Sequence, residues 1–103
     1  MEIRDNTPWG TAQTVKDYGP GIVMVETASH GGFRVLEPQL SQIPQSWRDA
    51  SFNGQGRSGW FEEDCDWCMV VKAFPDRFPA DMVKAAEQTF SGWIMKKLPK
   101  VSA

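Results

Sequence analysis

The clearest pattern in the chain lies between residues 22 and 36. β-branched residues crowd Ile22, Val23, Val25 and Thr27, which predicts a strand over Ile22 to Thr27. Ala28-Ser29-His30-Gly31-Gly32 reads as a loop, and Phe33 to Leu36 as the returning strand. Alternation there puts Phe33 and Val35 on one side and Arg34 and Leu36 on the other. Thr11 to Tyr18 alternates weakly and offers a further strand, with Gly19-Pro20-Gly21 as the turn between. The segment is a hairpin, or a meander if the first strand joins it.

The period then changes. Glu37-Pro38 opens a helical stretch in which Leu40, Ile43 and Trp47 recur at helical spacing, while Pro44 limits it to one or two short turns. A second helix is expected to open at Glu62, Glu63 and Asp64, where carboxylates favour the positive end of the macrodipole, and to stop at Pro75. A third runs from about Pro79 to Lys97, with Val83, Ala86, Phe90, Trp93 and Ile94 on one face and Pro99 closing it. Strands followed by helices make an α+β pattern, a small antiparallel sheet of two or three strands packed on two or three C-terminal helices.

The 103 residues make a single domain. Residues 1–10 read as an irregular N-terminal segment pinned by Trp9, 49–59 as a flexible glycine-rich loop, and 99–103 as a tail. Five tryptophans and six phenylalanines supply enough apolar surface for a core without disulfide or metal. A net charge of −2 gives no basic field for direct nucleic-acid binding or for a membrane surface. The first residues carry no signal-peptide pattern, and no apolar run approaches a membrane span, so a cytoplasmic setting is expected.

Four motifs carry chemistry. Gly54-Gln55-Gly56-Arg57-Ser58-Gly59 fits the dinucleotide-loop spacing, but no apolar strand precedes it and carboxylates follow. Cys65-Asp66-Trp67-Cys68 fits a redox pair, but four neighbouring carboxylates raise thiol pKa values. With one histidine and two cysteines the chain lacks the usual donors of a structural zinc site, and neither metal nor cofactor is expected. His30 stands alone in a glycine-flanked loop, and a nucleophilic pair with Cys65 needs a carboxylate to orient it. The densest charge is Glu62-Glu63-Asp64-Cys65-Asp66. Trp60 and Trp67, seven apart, would share one helix face, leaving Glu63 and Asp66 on other faces and open to solvent.

Three stretches form a distinctive set: Thr7-Pro8-Trp9-Gly10, Ala28-Ser29-His30-Gly31-Gly32-Phe33, and Gly59-Trp60-Phe61-Glu62-Glu63-Asp64-Cys65-Asp66-Trp67. Over roughly residues 7 to 78 the chain resembles a poorly characterised family of short proteins and domains carried by phages, plasmids and other bacterial mobile elements. The resemblance implies a setting in which small acidic proteins inhibit host defence, as anti-CRISPR and antirestriction proteins do. The expectation is a non-enzymatic inhibitor in the cytoplasm of a bacterial host. It would bind a basic surface on a CRISPR–Cas effector subunit and block DNA engagement or nuclease recruitment. Glu62, Glu63, Asp64, Asp66 and His30 are the candidate contacts. Two alternatives stand beside it: a small enzyme or metal-dependent domain using His30, Cys65 and nearby carboxylates, and a homodimeric accessory protein joined through its aromatics.

Overall fold

The computed structural model describes residues 7–51 and 59–94. Its sheet has four antiparallel strands in the order β1-β2-β3-β4. These are β1 (Thr14–Asp17), β2 (Ile22–Glu26), β3 (Gly31–Val35) and β4 (Trp60–Glu62). The first three form the expected meander. The fourth, placed by sequence pattern inside a helix, pairs Phe61 with Phe33 and Trp60 with Arg34.

Two short helices, α1 (Gln39–Gln42) and α2 (Gln45–Ala50), flank the Ile43-Pro44 break. After β4 come α3 (Trp67–Ala73), a 3₁₀ turn (Pro75–Arg77) and α4 (Ala80–Thr89), which widens into a π-helical turn (Phe90–Ile94). The helix expected from Glu62 therefore starts at Trp67. Its first turn holds no carboxylate. Trp60 and Trp67 lie on different elements, so they make no common helix face. The glycine motif leads into a strand at Trp60, which removes the helix a dinucleotide loop needs. Gly54 and Gly56, the bulk of the 49–59 loop, and Lys96, Lys97 and Pro99 lie outside the described residues.

The two faces of the sheet differ. Ile22, Phe33, Val35 and Phe61 face inward and form one cluster with Cys68, Met69, Val70 and Val71 of α3 and with Ala86 and Phe90. Phe33, Phe78 and Tyr18 meet edge-on or tilted at centroid distances of 4.8–5.8 Å. The opposite face carries Val15, Asp17, Val23, Val25, Arg34 and Trp60, as the register requires. Residues 7–13 cross this outer face. Trp9 lies edge-on to Trp60 at 5.6 Å, and Ala12 and Val25 are buried.

Glycine at position 32 makes that crossing fit. A Cβ on Gly32 would run into the Phe61 carbonyl oxygen and sit 2.6 Å from the Trp9 ring. Gly31 and Gly32 are therefore strand residues, not loop: the close approach of Trp9 and of neighbouring backbone selects glycine against its weak strand propensity.

Candidate functional site

The hairpin tip between β2 and β3 is built by one side chain. Thr27 Oγ1 donates to the His30 carbonyl at 2.7 Å and accepts from the Ser29 and His30 N–H groups. The Thr27 N–H donates to the same carbonyl at 2.7 Å. This small ring of bonds leaves the His30 imidazole exposed at the sheet end.

The turn from β4 to α3 lies beside it. The Glu63 N–H donates to the Gly31 carbonyl at 2.9 Å, extending the β3–β4 ladder by one residue. Glu62 Oε1 accepts the Cys65 N–H at 2.8 Å and closes the turn internally. Between these anchors, the Glu63 and Asp64 side chains face solvent. Glu63 Oε1 stands 3.6 Å from His30 Nδ1, with both side chains about half exposed. An exposed pair of this kind adds little stability. Its effect is positional, joining the hairpin tip to the acidic turn.

The three sequence motifs thus meet in space. Trp9 lies over Gly32 and against Trp60, and His30 contacts Glu63. The candidate contacts divide within this assembly. Glu63, Asp64 and His30 form one exposed edge. Glu62 is half buried and committed to the Cys65 N–H. Asp66 is only 3% exposed, which corrects the expectation that it faces solvent. The reason is the late helix start: Asp66 is the residue before α3, and its carbonyl accepts the Met69 N–H.

The cysteines occupy unequal sites. Cys68 is fully buried in the core, and its thiol donates to the Cys65 carbonyl at 3.0 Å. Burial, then the charge of Asp66, pushes its pKa from 9.0 up to about 12. A thiol held protonated is a poor nucleophile and a poor metal ligand. Among the described residues, no three His, Cys, Asp or Glu side chains are grouped so as to hold a metal ion. Nor is any described helix long and apolar enough to cross a membrane.

A family model described as a domain of unknown function, DUF7007, matches residues 2–102. The chain belongs to the DUF7007 family. No curated protein and no solved structure matches it. Within this DUF7007 chain, sequence reasoning missed the Arg34–Trp60 pair, whose guanidinium lies 4.9 Å from the ring centre. The signal was present only as alternation in β3, because Trp60 was assigned to a helix and given no strand partner.

Proposed function

We propose that the chain is a stoichiometric inhibitor of a bacterial defence complex, with a CRISPR–Cas effector as its target. The observation supporting this reading is the presentation of Glu63 and Asp64. Two carboxylates project from a turn held on one side by the sheet ladder and on the other by the Glu62–Cys65 bond. Fixed anions of this kind can occupy phosphate positions on a basic groove without losing much conformational freedom on docking. The setting comes from the resemblance to mobile-element proteins. His30 adds a donor at the same edge, beside Glu63.

The reading places no bond making or breaking in the chain. It predicts inhibition that saturates at a fixed ratio of inhibitor to effector, with no turnover. The test titrates the chain into a purified CRISPR–Cas effector and measures target-DNA binding by electrophoretic mobility. Loss of DNA binding that completes near equimolar addition is expected. Unchanged DNA binding and cleavage at a large molar excess would contradict the proposal.

A further inference from the structure

The sheet has an open edge at β1. β2 lies on one side of it, and no described strand lies on the other. Thr14, Lys16 and Asp17 are exposed, and Val15 is partly so. The register shows which backbone groups this edge presents. The Tyr18 N–H donates to the Ile22 carbonyl at 2.9 Å, two residues along from the Lys16–Met24 pair. Bonded pairs alternate along an antiparallel ladder, so Lys16 and Thr14 are the residues that exchange bonds with Met24 and Glu26. Val15 and Asp17 therefore turn their N–H and C=O groups away from β2. Among the described residues none pairs with them.

Donors and acceptors alternating along an extended chain are met together by another extended chain. A second copy of β1 fits poorly in every register. The register that satisfies both residues pairs Val15 with Asp17 of the other copy and sets Lys16 against its own counterpart. That central pair is not hydrogen-bonded, so its side chains stand closest and their like charges repel. Centring on Asp17 sets two carboxylates opposite each other. Centring on Val15 calls for the Gln13 N–H, which already donates to the Glu26 carbonyl at 2.7 Å. Lys16 thus guards the edge against its own kind, as edge lysines do.

The same charges describe what the edge accepts. We propose that β1 is a docking edge for an extended segment of another protein, added antiparallel as a fifth strand. Antiparallel pairing continues the pattern of the whole sheet. Opposed residues share a face, so the segment carries a basic residue opposite Asp17, an acidic residue opposite Lys16 and a β-branched residue opposite Val15. Read from its own N-terminus the order is basic, acidic, β-branched. β4, which leads into the acidic turn, is the opposite edge of the sheet. The site is therefore separate from the Glu63–Asp64 turn, and its test needs no effector.

The probe is the end-blocked peptide Thr-Lys-Glu-Val-Thr, titrated to millimolar concentration into the ¹⁵N-labelled chain and followed through its amide NMR signals. The Val15 and Asp17 amides are expected to move downfield and to gain protection from hydrogen exchange, while the Glu63 and Asp64 amides stay in place. The peptide Thr-Glu-Lys-Val-Thr has the same composition but sets like charges opposite in this register. It is expected to bind about fivefold more weakly or worse. Lys16→Glu, at an exposed position, is expected to abolish the preference between the two peptides, and the same spectra report whether its fold is kept. Val15 and Asp17 amides that do not respond to the first peptide overturn the inference. So do two peptides that bind the unsubstituted chain equally well. Either result leaves the inhibitor reading standing, since that reading requires only the acidic turn.

Discussion

Cys68 and Asp66 show how much a few residues of chain position decide. Cys68 sits in the core, where the thiolate would lose its water and face Asp66, so the proton stays on. The sign follows directly. Below pH 9.0 both folded and unfolded chains hold this proton and it contributes nothing to pH dependence. Between 9.0 and about 12 only the unfolded chain releases it, so stability falls as pH rises through that window. Melting temperatures measured against pH should therefore decline less steeply above pH 9.0 in Cys68→Ala than in the unsubstituted chain, even though the variant melts lower throughout from its cavity. Parallel slopes would show that the Cys68 thiol titrates alike in both states. The cysteine spacing alone was ambiguous between redox pair and core residue. Burial settles it for Cys68, and burial is set by the packing of α3, which no local pattern encodes.

At the scale of elements, β2 was legible because four β-branched residues in six leave few alternatives to an extended chain. The short helices around Pro44 were legible because proline fixes where they break. β4 was not legible. It has three residues, and the carboxylates that follow mimic a helix start. Its strand identity comes from pairing with β3, a contact made across more than twenty-five residues of sequence. The same non-local logic explains Gly32, which is glycine because Trp9 crosses it. Gly32→Ala should destabilise the fold by about 1–3 kcal/mol, as overpacking does, because a backbone carbonyl and a ring both stand in the way. Urea unfolding followed by tryptophan fluorescence measures this. A variant as stable as the parent would mean that Trp9 and β4 yield easily, and that the strap over the outer face is loosely held.

At the scale of the molecule, the sheet separates two jobs. Its inner face holds the core against α3 and α4, its outer face is crossed by residues 7–13, and one end stays exposed. The end carries the hairpin tip and the acidic turn, joined through His30 and Glu63. Sequence alone marked the charge cluster but not its division. Four carboxylates read as one knob, whereas the fold spends Glu62 on the turn, buries Asp66, and leaves Glu63 and Asp64 exposed. The proposed docking therefore runs through two of the four.

The most direct measurement is the affinity of the chain for a purified CRISPR–Cas effector across a salt series, compared with Glu63→Gln/Asp64→Asn. Both positions are exposed, so the fold is expected to be kept. Loss of two interfacial charge contacts should weaken binding by about tenfold or more at low salt and flatten its salt dependence. An affinity and a salt slope both unchanged by the double substitution would contradict the account.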